Sequence, residues 1–234
     1  MIVKQAVWKE RDRWGIKEFI LLLLLEFMIV IGCIKYLVQP LYFRWLEDEL
    51  YAGTLTGLSI AVILMLGIYF VALRPHNLSW NEVGLRKFGS KDWKLILLFS
   101  VILLIGAVII VFLTSFIGNT WENSKTQAMQ QNINVITIGV AFISAAIISP
   151  IYEEIFYRGF LYRWLRTRLG FIGAILLSST IFTVVHIPTY NVMPVNFFSG
   201  LIFALAYERT HSIWPSVIIH GLTNGIMVLL TSLG

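Results

Sequence analysis

The chain has 234 residues, of which 58% are hydrophobic and 13% charged, against about 45–50% and about 25% in soluble globular proteins. A water-soluble fold of this size could not cover that much apolar surface, which excludes a free cytoplasmic enzyme and a disordered chain, and the lone Cys33 excludes a disulfide scaffold. The net charge of +5 is read as loop cations that set orientation in a bilayer, so lipid is the expected surroundings and no nucleic-acid partner is expected.

The N-terminal tail carries Lys4, Lys9, Arg11, Arg13 and Lys17 ahead of an apolar stretch at 19–38. That stretch exceeds a signal-peptide core and lacks a small-residue cleavage site, so it reads as an uncleaved span. Within it, Lys35 reads as snorkelling to a membrane face, Glu26 as paired or protonated, both in structural roles, and Cys33 as a small buried hydrophobe. About 20 mainly apolar residues cross a bilayer, and further candidates follow at 53–73, 95–117, 135–161, 171–187, 192–207 and 213–233, the fifth and sixth being short. Lys and Arg counts in the tail and successive connections run 5, 1, 5, 1, 4, 0, 1, 0. This alternation predicts a cytoplasmic N-terminus. The expected fold is all-α, a polytopic transmembrane bundle of about seven spans, with six to eight as the range. The 74–94 loop, with Leu78, Trp80, Val83, Leu85 and Trp93 among its cations, reads as an amphipathic interfacial segment or a plain polar loop. Residues 1–134 offer only generic spans and loops, whereas 135–230 hold the informative motifs of the same structural unit.

Ionisable groups inside spans are expensive and mark candidate functional sites. In SPIYEEIFYRGF, the adjacent Glu153 and Glu154 point about 100° apart on a helix. Arg158 lies four residues from Glu154 and shares its face. The economical assignment pairs Arg158 with Glu154 and leaves Glu153 for chemistry. Pro150, without an N–H, is expected to open the helix before the carboxylates. Phe182 and His186 share one face of a later helix, and His220 and Asn224 share a face of the last. If the fourth and fifth spans turn at Leu169–Gly170, Glu153 and His186 lie equally far from the turn and meet at one level. Arg163, Arg166 and Arg168 imply that the end of this hairpin leaves the bilayer.

A carboxylate, two imidazoles and an amide suit activation of water for hydrolysis. Glu153 would take the water's proton, His186 would orient the water or bind a metal, and His220 and Asn224 would stabilise an oxyanion. Alternatively, two histidines and a glutamate would ligate Zn²⁺. A proton pathway and plain helix packing use the same residue types.

Glu153-Glu154 with Arg158, Phe182 with His186, and His220 with Asn224 resemble, in that order, the motifs EExxxR, FxxxH and HxxxN. These belong to the CAAX prenyl protease and bacteriocin-processing (CPBP, or Abi) family of intramembrane proteases. The resemblance covers about 135–230. It implies a helical membrane fold with a polar cavity where a peptide or membrane-protein substrate is hydrolysed. Glu153, His186, His220 and Asn224 would form the catalytic set, supported by Glu154, Arg158 and Phe182. Members are labelled metalloproteases, and a metal-free glutamate mechanism has also been proposed. If zinc is bound, the resemblance implies His186, His220 and Glu153 or Glu154 as its ligands. The alternative within the family is a non-proteolytic immunity or sensor-modulating membrane protein. A bacterial plasma membrane is the expected location.

Overall fold

Side chains that occupy the orphan N–H groups of a first turn decide where several of these helices begin. Asp48 accepts from the Tyr51 N–H at 2.9 Å, Asn134 from Ile136 and Thr137 at 2.9 and 3.0 Å, and Ser212 from Trp214 at 3.3 Å. Glu47 and His211 adopt left-handed φ angles of 53° and 55°, which close the preceding helices. The computed structural model describes residues 12–116 and 133–233, together with Trp8, Gln127 and Gln130. Lys4, Lys9, Arg11 and most of the 118–134 connection lie outside the described residues.

The described chain is an all-α bundle in which six helical runs are long and apolar enough to cross a membrane. We label its helices α1 (Ile16–Leu46), α2 (Glu49–His76), α3 (Asp92–Ser115), α4 (135–169), α5 (171–184), α6 (Met193–Thr210) and α7 (Ile213–Ser232). The expected fourth and fifth spans occur in one 50-residue run, Val135–Val184, so the runs number six rather than seven. That run is broken at Gly170, whose φ of 73° and ψ of −173° are accessible to glycine at little cost. There the chain doubles back, and the Tyr157 ring of α4 lies 5.2 Å from the Phe182 ring of α5. The Leu169–Gly170 turn read from the sequence is therefore present.

Four stretches wind wider than an α-helix, as π-helix: Leu25–Val38, Ile68–Leu73, Ile143–Ile148 and Ile155–Tyr162. This winding corrects the expectation for Pro150. The helix does not open there; it passes from π winding into the α segment Ser149–Glu154. In a π-helix the partner of residue 150 is the carbonyl five residues back, at Ala145. Pro150 cannot supply that hydrogen, and the Asn224 amide donates to the Ala145 oxygen instead, at 2.9 Å.

α3 presents Leu97, Val108, Ile109 and Phe112 on its outside, as lipid-facing positions require. α6 packs between α3, α5 and α7, and α2 between α1 and α4. The 74–94 loop neither forms an amphipathic helix nor runs free. Val83 is buried, the Gly84 carbonyl accepts from Ile213 N–H at 3.0 Å, and Arg163 bonds both the backbone carbonyl and, at 2.7 Å, the carboxylate of Glu82. Arg163 and Arg166, at the end of the hairpin, are buried within the protein. Arg166 pairs with buried Glu208 at 2.9 Å, and the Tyr162 hydroxyl adds a 2.8 Å bond to the same carboxylate. Partners of opposite charge make burial of these cations tolerable.

Candidate active site

Glu154 is the hub of the motif residues. Its side chain is 0% exposed and its Oε1 accepts two hydrogen bonds, from Arg158 Nη1 and from His220 Nδ1, each 3.0 Å long. The Arg158 side chain, 1% exposed, also reaches the Gly200 carbonyl at 3.3 Å. Its guanidinium lies 4.4 Å from the centre of the Phe182 ring and 5.1 Å from that of Phe203. The Arg158–Glu154 pair expected from four-residue spacing is present. What spacing could not show is that the same carboxylate holds His220 from a third helix.

The Glu154 carboxylate bonded to Arg158 is an acceptor, so Nδ1 of His220 is assigned as its donor and Nε2 is the nitrogen left to face a water. That Nε2 lies 3.9 Å from Glu153 Oε2. The gap is too long for a direct hydrogen bond and short enough for one water to donate to both atoms. His186 is constrained in the same way. Its Nδ1 is 2.6 Å from the Phe182 carbonyl, an acceptor only, so Nε2 again carries the lone pair. Phe182 packs edge-on to both imidazoles, 4.8 Å from His186 and 6.1 Å from His220, and Phe203 stacks on His220 at 4.5 Å. Aromatic walls of this kind fix ring planes without competing for the nitrogens.

Asn224 shares the His220 face as expected, but one amide hydrogen is committed to Ala145. Gly221 lies between them, and a Cβ there would run into the Ala146 carbonyl oxygen, backbone that cannot turn aside. α7 therefore sits on α4 at the carbonyls beside Pro150, and this close approach places His220 beside Glu154. Gly221→Val is expected to cost roughly 1–3 kcal/mol through overpacking. Its melting midpoint in detergent should fall well below that of the wild type; an unchanged midpoint would contradict this packing.

Glu154 is engaged by Arg158 and His220, and among the described residues no three His, Cys, Asp or Glu side chains are grouped to hold an ion. His186, His220 and the two glutamates therefore do not make a three-ligand zinc site in this geometry.

Two residues of α1 join the site from outside the motif-bearing segment. Glu26 is buried and accepts from the Tyr157 hydroxyl at 2.8 Å, while the Lys35 ammonium donates to the carbonyl of Val185, the neighbour of His186. Nine residues apart on the wide-wound stretch Leu25–Val38, they hydrogen-bond to different partners, with Lys35 still acting electrostatically on Glu26. The available signal was their presence as intramembrane charges; their partners are long-range and leave no spacing pattern.

Residues 135–226 match the model of a family described as type II CAAX prenyl endopeptidase, Rce1-like. Among curated proteins, the chain is 31% identical over 109 residues to YdiL of Bacillus subtilis, covering 47% of this chain and 43% of that protein. It is 31% identical over 137 residues to the membrane-embedded CAAX protease MroQ of Staphylococcus aureus, covering 56% of this chain and 54% of that protein. A 26% identity over 178 residues links it to the UPF0177 protein YaiH of Lactococcus lactis, covering 72% and 68%. The matches thus span about half the length of YdiL and MroQ. No solved structure matches. With six membrane-length helices and bacterial relatives of this kind, the chain is an integral membrane protein of a bacterial membrane.

Proposed function

We propose that this chain, whose residues 135–226 match the model of the Rce1-like type II CAAX prenyl endopeptidases, is an intramembrane endopeptidase that hydrolyses a peptide bond with a water activated by Glu153. The observation that carries the reading is the 3.9 Å gap between Glu153 Oε2 and His220 Nε2, with His220 locked by Glu154 in the tautomer that accepts from water. A water in that gap donates one hydrogen to each atom. Glu153 removes its proton as the oxygen adds to the peptide carbonyl, and returns the proton to the amine as the C–N bond breaks. His186, with Nδ1 held by the Phe182 carbonyl, supplies a second oriented imidazole, against the same Phe182 ring as His220. The second N–H of Asn224 is a donor for the oxyanion. Arg158 bonds the Glu154 carboxylate, which in turn holds His220 in place.

The substrate is a peptide or membrane-protein segment that reaches the site between helices. Peptide termini compared in membranes from cells carrying the wild type, Glu153→Ala or His186→Ala at matched abundance test the reading. New paired C- and N-termini seen only with the wild type are expected. The same termini in His186→Ala at wild-type yield would remove His186 from the chemistry. A cellular phenotype that persists in Glu153→Ala without any new terminus would replace proteolysis by binding to a membrane partner.

A further inference from the structure

Glu26 belongs to α1, outside the segment that carries the motifs, and is 2% exposed. Its Oε1 accepts from the Tyr157 hydroxyl, and its Oε2 has no hydrogen-bond partner. A carboxylate so deeply buried is expensive and is retained where its geometry is used. Its bonded partner is a neutral phenol, so an ion pair does not explain it. The contact leads directly to the site. The buried Tyr157 ring stands edge-on to Phe182, at 5.2 Å and 80°, and Phe182 touches the rings of both His186 and His220. Glu26 is also within electrostatic range of Glu153.

We propose that Glu26 is a positioning residue: by holding the Tyr157 hydroxyl it fixes the Phe182 ring between the two histidines, and so sets the imidazole geometry that cleavage uses. Its consequence for rate rests on the proteolytic reading, whereas its consequence for the histidines does not. Three variants separate the possibilities. Glu26→Gln keeps a carbonyl acceptor for Tyr157, Glu26→Leu removes it, and Tyr157→Phe removes the donor.

Nitrogen-15 histidine spectra of the full chain in detergent read the two site imidazoles, with His76 and His211 as internal markers of folding. Glu26→Gln is expected to keep the wild-type spectrum. Glu26→Leu and Tyr157→Phe are expected to shift the His186 and His220 resonances alike and leave His76 and His211 in place. With a peptide whose cleavage requires wild type and fails in Glu153→Ala, kcat should fall about 10-fold to 100-fold in Glu26→Leu and in Tyr157→Phe at nearly constant KM, as for a displaced reacting group. The double variant should be no worse than either alone. Unmoved His186 and His220 resonances in Glu26→Leu, additive losses, or a Glu26→Gln as impaired as Glu26→Leu would each overturn the proposal. If no peptide passes the wild-type criterion, the proteolytic reading fails, and the spectra still decide the role of Glu26. Should Glu26→Leu not accumulate, Tyr157→Phe makes the same test.

Discussion

Glu154→Ala is expected to destabilise the protein by about 3–5 kcal/mol, the typical cost of removing one partner of a buried ion pair. Arg158 would keep the Gly200 carbonyl, the faces of Phe182 and Phe203 and the more distant charge of Glu153, but no bonded carboxylate. Cation–π contacts of about 2 kcal/mol offset only part of that loss. A whole domain is stable by only about 5–15 kcal/mol, so both the folded fraction in membranes and the melting midpoint should drop. His220 would at the same time lose the acceptor that sets its tautomer, and any molecules that remain folded should cleave poorly. Glu154→Gln keeps an acceptor without the charge and should fall between Ala and wild type. A double substitution, Glu154→Leu with Arg158→Met, should recover most of the stability, since an apolar pair of similar volume can replace a buried ion pair, and none of the activity. Wild-type abundance and melting in Glu154→Ala would contradict the assignment of this pair.

Glu153→Ala is expected to behave in the opposite way, with a near-normal fold and no cleavage. Glu153 is adjacent to Glu154, its side chain is 13% exposed against 0% for Glu154, and Arg158 bonds to its neighbour. General-base catalysis contributes typically 10²–10⁴-fold, and loss of the base should remove about that factor. His186→Ala should also suppress cleavage with little loss of protein, because the Nδ1 bond it removes goes to the Phe182 carbonyl four residues back. The two neighbouring glutamates are thus distinguished by readout: one mutation empties the membrane of folded protein, the other leaves it inactive.

The helical membrane character was legible because bilayer thickness imposes a length and hydropathy on each span. The turn at Gly170 was legible because a carboxylate-bearing helix and a histidine-bearing helix flank it at equal distances. The Arg158–Glu154 pair followed from four-residue spacing. Contacts between distant helices have no such periodic signature. Nothing near Asn224 says that its amide replaces the hydrogen missing at Pro150, some 75 positions earlier. Glu26 was legible only as an intramembrane charge, because its partner, Tyr157, is 131 residues away. Arg163 and Arg166 looked like orientation-setting surface cations, and the acids that bury them, Glu82 and Glu208, lie in other elements. Counting positive charges reads sequence density, and cannot separate an exposed arginine from a paired one.

The most direct test of the central claim uses the purified chain in liposomes with the peptide identified from wild-type membranes. Release of the new terminus is followed for wild type and for Glu153→Gln, which preserves shape and removes the base. The predicted result is a fall of roughly 10²–10⁴-fold in cleavage rate, with the melting midpoint unchanged. Cleavage by Glu153→Gln within a few-fold of wild type would contradict the assignment of Glu153 as the base that activates water.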